Sequence, residues 1–320
     1  MSGRSPEALL WDFLRGALMT RAIAVAADLG VADALADGPR DVVELAEEAG
    51  VNADVLRRLL RALASDGVFE ETAPGVFANT EVSELLRDPG RRAFAHLFGG
   101  AYLQAVAHLD ASGGAPAFTR AFGTDLWSWL AARPEERAAF DRAMANGIPT
   151  RAALLGAAEW RGDEVVVDVG GGDGSLLAEL LRDRPDMRGI VFDLPEAARA
   201  TRSLGDRITY VEGSFFDRVP AGDVYVLSAV LHDWDDQEAE AILRGIHDSA
   251  GPHARLLVVD GVLEPGSGSA WRWADLHVLV TLGGRERDEA QWRLLLAAGG
   301  FEPVSVKDGL IEAVPISRPE

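Results

Sequence analysis

The sequence has no cysteine among its 320 residues. Disulfides, zinc–thiolate sites and cysteine nucleophiles are therefore excluded, and the composition favours a reducing, cytoplasmic location. No apolar run reaches the roughly 20 residues that a membrane-spanning helix needs. Asp12 and Arg15 interrupt the apolar stretch near the N-terminus, which argues against a signal peptide. We therefore expect a cytoplasmic protein that does not enter a membrane.

Basic residues are also scarce, because 31 Lys and Arg stand against 51 Asp and Glu, for a net charge of −20. A field of that sign repels the phosphates of nucleic acids, so we expect no nucleic-acid partner. Apolar residues make up 48% of the chain, and its length is sufficient for two domains with a substantial core.

Residues 1–100 are predicted to form short helices followed by a strand pair that turns at Pro74-Gly75. Asp41 and Asn52 are expected to cap two of these helices. A helix, a helix and a wing make a winged-helix module, which often binds DNA. This region has ten basic and 16 acidic residues, however, and its first helices are strongly apolar. We interpret it as a dimerisation domain, with a DNA-binding regulator as the disfavoured alternative.

Residues 101–160 are predicted to be connecting helices that contribute to a substrate pocket. Pro134 opens one of them, and Phe140 and Met144 share a face of that helix at i, i+4 spacing. Core packing is the ordinary explanation for such a pair, and pocket lining is the alternative.

Residues 161–320 alternate strands with helices, which predicts a parallel sheet covered on both faces. The predicted strands are VVVDVG, GIVFDL, ITYVEG, DVYVLSAV and ARLLVVDGVL. A helix capped by Asp288 follows, and then two strand-like runs meet at Asp308-Gly309, a hairpin signal. The predicted fold class is α/β: a Rossmann-like, doubly wound sheet that ends in an antiparallel hairpin, preceded by a mostly helical winged-helix domain.

The first of these strands leads into a glycine loop. Gly170, Gly172 and Gly174 give G-x-G-x-G after Asp168, whereas a dinucleotide site has G-x-G-x-x-G. Asp173 within the loop would repel a pyrophosphate but would suit a cationic ligand. The loop therefore favours S-adenosylmethionine, and it disfavours an NAD-dependent dehydrogenase.

The next two strands end in residues suited to an adenosine. Asp193 ends the second strand, where a carboxylate can accept hydrogen bonds from both ribose hydroxyls. We assign the neighbouring Leu194 to the same site. Ser214 and Phe215 follow the third strand, and the Phe215 ring is suited to cover the adenine.

A histidine follows the fourth strand. His232 lies at the carboxyl end of a buried strand, where ligands of open α/β sheets bind. A neutral imidazole there can take the proton of a substrate hydroxyl, and a phenol with a pKa near 10 needs such help at neutral pH. A structural histidine is the alternative.

These motifs occur in an order that is typical of a known family. In chain order they are DVGGGDG, Asp193, GSFFD, LHDWDD, GGRERDEAQW and AAGGF. Over nearly the whole chain it resembles S-adenosylmethionine-dependent O-methyltransferases, the family of plant caffeate and bacterial polyketide methyltransferases. The resemblance implies a homodimer formed through the N-terminal domain. It also implies methyl transfer to a phenolic hydroxyl of a small aromatic secondary metabolite.

The resemblance also implies roles for individual residues. The family's base falls on His232, and the acidic residues that orient the base fall on Asp260 and Glu286. Plant relatives have Glu in place of Asp260, one methylene longer. Ser214 stands where relatives have an acidic residue beside the adenine, and Ser228 stands where plant members have a cofactor-contacting lysine.

The helix WRWADLHVLVTLGG matches the family's substrate-lining helix. The predicted substrate contacts are Phe140, Met144, Asp233, Trp273, His277 and Thr281. Plant relatives are mostly apolar at the position of His277. This histidine could bind a substrate carbonyl, act as a second base or be packed without a role.

Two alternatives stay open on the same fold. One is methylation of nitrogen or carbon, or a cofactor-assisted hydroxylation, decarboxylation or pericyclic reaction. The other is metal-assisted catechol methylation, with Asp233, Asp235 and Asp236 as Mg²⁺ ligands. We favour helix capping for these carboxylates and expect no resident metal.

Overall fold

The computed structural model describes residues 5–198, 204–264, 266, 268–307 and 309–317. The chain divides into two compact units: the first comprises Met1–His108 and Arg133–Asn146, and the second comprises Leu109–Ala132 and Gly147–Glu320. The domain boundaries expected near residues 100 and 160 stay predictions.

The N-terminal elements are short helices and a small sheet. In chain order they are α1 (Pro6–Leu14), α2 (Gly16–Asp28), α3 (Val31–Ala34), β1 (Arg40–Asp41), α4 (Val42–Ala49), α5 (Ala53–Ser65), β2 (Phe69–Ala73), β3 (Val76–Asn79), α6 (Glu81–Glu84), a 3₁₀ turn (Leu85–Arg87), α7 (Pro89–Gly99) and α8 (Ala101–Val106). The Asp41 side chain accepts the Val43 amide and the Asn52 side chain accepts the Asp54 amide, so both predicted caps are confirmed. Strands β2 and β3 form the predicted hairpin, and the sheet order is β1-β3-β2.

Four helices connect this region to the large sheet. They are α9 (Ala117–Phe122), α10 (Leu126–Ala131), α11 (Pro134–Ala145) and α12 (Ile148–Gly156). Pro134 occupies the first turn of α11, as predicted, where its missing N–H leaves no helical hydrogen bond unmade. Helix α11 belongs to the first unit, whereas α9, α10 and α12 belong to the second.

The remaining elements alternate strands with helices. They are β4 (Val165–Val169), α13 (Ser175–Leu181), β5 (Arg188–Asp193), α14 (Pro195–Ala198), β6 (Ile208–Glu212), β7 (Val224–Ser228), a 3₁₀ turn (Leu231–Asp233), α15 (Asp236–Ser249), β8 (Arg255–Val259), α16 (Ser269–Thr281), α17 (Glu289–Ala298), β9 (Phe301–Lys307) and β10 (Leu310–Pro315).

The large sheet has seven strands in the order β6-β5-β4-β7-β8-β10-β9. Strands β4 to β8 are parallel, and β10 runs antiparallel to both β8 and β9. The predicted fold class and terminal hairpin are confirmed, although Asp308 of the predicted turn lies outside the described residues. The strand order reverses between β4 and β7, so a ligand crevice is expected beyond the carboxyl ends of these two strands.

Helices cover both faces of this sheet. On one face Ile242 of α15 and Trp292 of α17 are buried against the strands, and on the other face Leu155 of α12 and Leu177 of α13 are buried. Burying each such side chain contributes about 1.5–3 kcal/mol. The two layers hold the strand ends in place, and those ends carry the polar side chains described below.

The helices of the described segments include none long and apolar enough to cross a bilayer.

Candidate functional site

The glycine loop joins β4 to α13. Gly170, Gly172 and Gly174 have φ angles of +73°, +58° and +77°, the left-handed region that side chains disfavour. A Cβ on Gly170 would lie 2.9 Å from the Val230 side chain, whereas a Cβ on Gly172 would meet nothing within 4 Å. The loop is therefore closely packed at Gly170 and open at Gly172, where a ligand can approach the backbone.

Three carboxylates surround this loop, and we call Asp168, Asp173 and Asp193 the loop cluster. Asp193 accepts the Gly172 amide at 2.8 Å and its neighbour's amide at 2.7 Å, and Asp173 accepts the Ser175 amide at 3.0 Å. Asp168 is different, because it is 2% exposed and its Oδ2 has no hydrogen-bond partner among the described residues. Burial, reinforced by the charge of Asp193, raises the pKa of Asp168 to about 7.

The other residues assigned to the cofactor lie at neighbouring strand ends. The Phe215 ring packs edge-on against Trp234 at 5.6 Å, and the Ser214 hydroxyl accepts the Phe216 amide at 3.2 Å. Ser228 ends β7, and its buried hydroxyl has no hydrogen-bond partner within the described segments. Leu194 follows β5 and is 41% exposed.

His232 lies in the 3₁₀ turn after β7 and is surrounded by three carboxylates. Its Nδ1 is 3.0 Å from Oε1 of Glu286 and 3.1 Å from Oδ1 of Asp260, and its Nε2 is 3.4 Å from Oδ1 of Asp233. We call these four residues the base cluster. The shorter Asp side chain at position 260 therefore does reach the imidazole.

The charges of the base cluster act on one another. Burial lowers the pKa of His232, but the three carboxylates outweigh burial and raise this pKa to about 10. Burial also raises the pKa of both Asp233 and Asp260. Protons in such a cluster belong to the group as a whole, and the imidazole is its most basic site.

The base cluster also has the composition of a metal site. Single ligand atoms of His232, Asp260 and Glu286 lie within 4.8 Å of one another. Nδ1 of His232 is hydrogen-bonded to Glu286 at 3.0 Å, and Asp260 lies 3.1 Å from the same nitrogen as an ion-pair partner.

The alternative magnesium ligands have other roles. The Asp235 side chain caps α15 by accepting the Gln237 and Glu238 amides at 2.9 Å, so the capping interpretation is confirmed for this residue. Asp236 forms ion pairs with two arginines, Arg285 and Arg287.

Arg287 supports the histidine turn, although the sequence analysis did not identify it. Its fully buried guanidinium donates hydrogen bonds to the carbonyls of Leu231 at 2.9 Å and Trp234 at 3.0 Å. These carbonyls lie on either side of His232 in the chain, so the hydrogen bonds from Arg287 hold the turn in place. Nothing in the local pattern distinguishes Arg287 from an exposed arginine.

Two small residues also shape this turn. Ala229 has a φ of +54°, a strained conformation for a residue with a side chain, and such strain is common at functional sites. Gly284 packs so closely on the His232 carbonyl that a Cβ there would overlap it, and the Arg285 amide donates to the same carbonyl at 2.8 Å. The Gly283-Gly284 pair in the sequence was the available signal for this close approach.

Helix α16 carries three predicted substrate contacts in three different environments. Trp273 is 68% exposed, His277 is half-buried and Thr281 is buried, with its hydroxyl donating to the His277 carbonyl at 2.8 Å. Burial, together with the charge of His232, lowers the pKa of His277 to about 4. His277 is therefore an uncharged imidazole close to the base cluster.

Helix α16 also positions the base cluster. The Asp275 carboxylate accepts the Glu286 amide at 2.9 Å, a contact that the sequence analysis missed. Phe140 and Met144 lie one turn apart on α11 in the first unit, and both are half-buried. Their contact with a substrate stays a prediction.

The site is suited to a nucleoside that carries both charges of an amino acid and an additional positive charge. Asp168 offers a buried oxygen without a hydrogen-bond partner among the described residues, beside a loop whose centre is open. A buried acceptor of this kind costs free energy unless a donor meets it. An ammonium group is such a donor, whereas a pyrophosphate is not.

The chain matches the O-methyltransferase domain family over residues 102–302 and the O-methyltransferase dimerisation domain family over residues 11–88. It is 39% identical to phenazine O-methyltransferase PhzM of Lysobacter antibioticus, with 97% of this chain and 96% of that protein covered. It is also 39% identical to 3-amino-4-hydroxybenzoate 4-O-methyltransferase of Streptomyces cremeus, over 93% and 86% of the two chains.

Among solved structures, the chain resembles the neocarzinostatin-biosynthesis O-methyltransferase NcsB1 in complex with S-adenosyl-L-homocysteine and 1,4-dihydroxy-2-naphthoic acid. The TM-score is 0.82 at 36% identity, with 93% of this chain and 96% of that chain covered. Together with the loop cluster, these similarities identify the nucleoside. The chain belongs to the family of S-adenosylmethionine-dependent O-methyltransferases with an N-terminal dimerisation domain.

Proposed function

We propose that this enzyme methylates a phenolic hydroxyl of a small aromatic secondary metabolite, with His232 as the general base. The base cluster carries the proposal, because two carboxylates hold Nδ1 of His232, so that Nε2, beside Asp233, is the nitrogen proposed to meet the acceptor. The relatives support the substrate class, since their names refer to a phenazine, a hydroxybenzoate and a naphthoic acid.

Proton removal follows from this geometry. A proton on Nδ1 shared with Glu286 and Asp260 fixes the tautomer in which Nε2 accepts. The pKa of His232, raised to about 10, is close to the pKa near 10 of an ordinary phenol, so the transfer is nearly balanced in free energy. The carboxylates then stabilise the imidazolium that forms.

Asp233 controls access to the accepting nitrogen. Its Oδ1 lies 3.4 Å from Nε2, where a substrate hydroxyl has to approach. We propose that Asp233 contacts that hydroxyl, and that His277 binds a second polar group of the acceptor as a neutral imidazole. Trp273 and Thr281 complete the part of the proposed acceptor pocket that belongs to the second unit.

The loop cluster and its neighbours are proposed to bind the cofactor. Asp168 accepts the α-ammonium, Asp193 accepts the ribose hydroxyls and Phe215 covers the adenine. Ser214, Ser228, Leu194 and the loop glycines complete this site. S-adenosylmethionine supplies a methyl group on a sulfonium, and the protein aligns the acceptor oxygen with it.

We further propose that the enzyme is a homodimer formed through its N-terminal region. The first two helices expose large apolar side chains, namely Leu10, Trp11, Phe13, Leu14 and Leu18. Such a surface is typical of a protein interface. Light scattering coupled to gel filtration tests this proposal, and a monomer at micromolar concentration would contradict it.

The acidic partners of the α5 arginines are consistent with the predicted absence of a nucleic-acid partner. Arg61 forms a salt bridge with Glu71 at 2.9 Å, and Arg57 lies 3.9 Å from Asp54. A mobility-shift titration with DNA at low salt tests this prediction, and saturable binding would contradict it.

A panel of acceptors tests the reaction. Phenazines, hydroxybenzoates, naphthols and their amino analogues are incubated with methyl-labelled cofactor, and mass spectrometry locates the label. We expect label on oxygen and stoichiometric release of S-adenosylhomocysteine, with or without a chelator. Label on nitrogen or carbon would contradict the proposal and support N- or C-methylation. A product without label would support a cofactor-assisted reaction that transfers no methyl group. Loss of activity with a chelator would restore the metal-assisted mechanism.

A further inference from the structure

Helix α16 has a second face that the proposed function does not use. Trp271 and Asp275 are one helical turn apart on this face, and we call these two residues the support pair. At about 100° per residue, their face lies nearly opposite the face of the proposed acceptor contacts, Trp273, His277 and Thr281. The helix and the base cluster both belong to the second unit. Each member of the support pair contacts the chain at or beside a carboxylate of that cluster.

Asp275 holds the backbone of Glu286. Its Oδ1 accepts the Glu286 amide at 2.9 Å, and Glu286 is only 4% exposed, so this amide depends on an internal acceptor. The preceding amide, that of Arg285, donates to the His232 carbonyl at 2.8 Å. Two successive amides are therefore bonded to two different elements. This arrangement fixes the segment from which the Glu286 side chain reaches Nδ1 of His232 at 3.0 Å.

Trp271 packs beside Asp260. A Cβ on Gly261, the next residue in the chain, would lie 2.5 Å from Cζ3 and 2.9 Å from Cε3 of Trp271. The φ of Gly261 is not in the left-handed region, so the close approach of the ring, and not backbone conformation, accounts for the glycine. The Gly261 carbonyl also accepts the indole N–H of Trp292 at 3.0 Å. Two tryptophans therefore contact the backbone that follows Asp260.

We propose that the support pair positions the two carboxylates that contact Nδ1 of His232, so that the helix of the proposed acceptor contacts also controls the base. This inference rests on the proposed role of His232 as the general base. An acceptor that moves α16 also moves the contacts of the support pair. Misplacing a catalytic group by about 1 Å can cost about 100-fold in rate, so a small movement of these carboxylates is sufficient to affect turnover.

The titration of the His232 ring is a readout that needs no acceptor. The charged and titratable groups around this ring are Asp233, Asp260, Glu286, His277 of α16 and, bonded to the carbonyls of the same turn, Arg287. Asp275→Ala removes the acceptor of the Glu286 amide, so this carboxylate should move away from Nδ1. The His232 pKa, which the carboxylates raise, should then fall by about one unit. NMR of protein with ¹⁵N-labelled histidine measures it, and His232→Ala assigns the signal.

Turnover of the best acceptor in the panel is the second readout. Asp275→Ala should lower kcat by about 10- to 100-fold and leave S-adenosylhomocysteine affinity within about twofold. Asp275→Asn keeps an oxygen that accepts the amide, so its kcat should stay within about threefold of wild type. Trp271→Ala should act in the same direction through Asp260, but less strongly, because the ring forms no bond to the carboxylate. Arg272→Ala, at an exposed position of α16, is the control and should change neither quantity.

The outcomes separate this inference from the proposed function. An unchanged His232 titration in Asp275→Ala, or equal losses of kcat and of S-adenosylhomocysteine affinity, would overturn the positioning role. If His232→Ala lowers kcat while Asp275→Ala and Trp271→Ala do not, the base stands and the role of the support pair is wrong. Unchanged turnover in His232→Ala would overturn the proposed base instead, and the His232 titration would still test the support pair.

Discussion

The loop cluster and the base cluster are two groups of buried or half-buried carboxylates at the same end of one sheet, but only the base cluster has a cation within it. In the base cluster, His232 lies within 3.4 Å of all three carboxylates. In the loop cluster, Asp193 and Asp173 are satisfied by backbone amides, and Asp168 has no cation among the members of its cluster. Among the described residues, buried oxygens without a hydrogen bond remain in both clusters, on Asp168 in one and on Asp260 and Glu286 in the other.

This difference separates chemistry from binding. A cluster of carboxylates around an imidazole holds the ring in one orientation and stabilises the imidazolium that proton transfer produces. A buried carboxylate without a bonded cation destabilises the empty protein and favours any ligand that supplies one. We therefore expect the base cluster to act in turnover and the loop cluster to act in cofactor affinity.

The largest effect is expected from removing the cation of the base cluster. His232→Ala should lower kcat by about 10²- to 10⁴-fold, the usual contribution of a general base. The affinity for S-adenosylhomocysteine should stay within about twofold, because the variant leaves the loop cluster intact. Labelled methyl transfer and calorimetry measure the two quantities. His253→Ala, at an exposed position, is the control, and unchanged turnover in His232→Ala would remove the base from the mechanism.

The reverse pattern is expected at the loop cluster. Asp168→Asn should weaken S-adenosylhomocysteine by about 10- to 100-fold, because a charge-assisted hydrogen bond is lost. At saturating cofactor, kcat should fall far less than in His232→Ala. Asp183→Asn, at a position exposed to solvent after α13, is the matched control. If Asp168→Asn lowered kcat but not affinity, the division of roles between the two clusters would be wrong.

The pH dependence of turnover sharpens the comparison further. In the wild type, kcat should rise with pH towards the raised His232 pKa of about 10, because only the neutral imidazole accepts a proton. Glu286→Gln removes one of the carboxylates that raise this pKa. The rising limb should therefore move to lower pH, by about one unit for the loss of one close charge. Profiles of kcat from pH 6 to 10 measure the shift, and a limb that stayed in place would show that Glu286 does not act on His232.

The smallest effect concerns stability. The pKa of Asp168 is about 7 in the folded protein, above its ordinary value, so the folded state binds this proton more tightly than the unfolded state. Stability from this group is therefore full at low pH and declines as pH rises towards 7. Asp168→Asn removes the decline. The melting temperature of the variant minus that of the wild type should therefore increase by about 2–5 °C from pH 5 to pH 8. Asp183→Asn should show no such trend, and equal differences at both pH values would mean that Asp168 is not destabilised by burial.

Much of the fold follows from local signals. The runs rich in Val, Ile and Leu correspond to β4 to β8, and the predicted glycine loop follows β4. The wing and the terminal hairpin also agree with their turn residues. These elements depend on neighbours within a few positions, which is why pattern alone identified them.

The candidate site depends on longer-range contacts. His232, Asp260 and Glu286 are far apart in sequence, and only their order in a family pattern suggested that they meet. Arg287 had no such signal, because its partners are the carbonyls of Leu231 and Trp234 and the carboxylate of Asp236, which are distant in sequence. Helical spacing placed Trp273, His277 and Thr281 on one face of α16. Along the two turns that separate Trp273 from Thr281, however, this face passes from an exposed to a buried environment. Helical periodicity predicts on which face of a helix a side chain lies, but not how deeply that side chain is buried.

The close packing of Gly284 on the His232 carbonyl limits how this enzyme can be redesigned. A combinatorial library aimed at new acceptors has room to vary the exposed end of α16, where Trp273 stands in solvent. It has none at position 284, because any larger residue displaces the carbonyl of the histidine itself. On the proposed function, we expect variation at the exposed end of α16 to be tolerated and any substitution at position 284 to lower turnover.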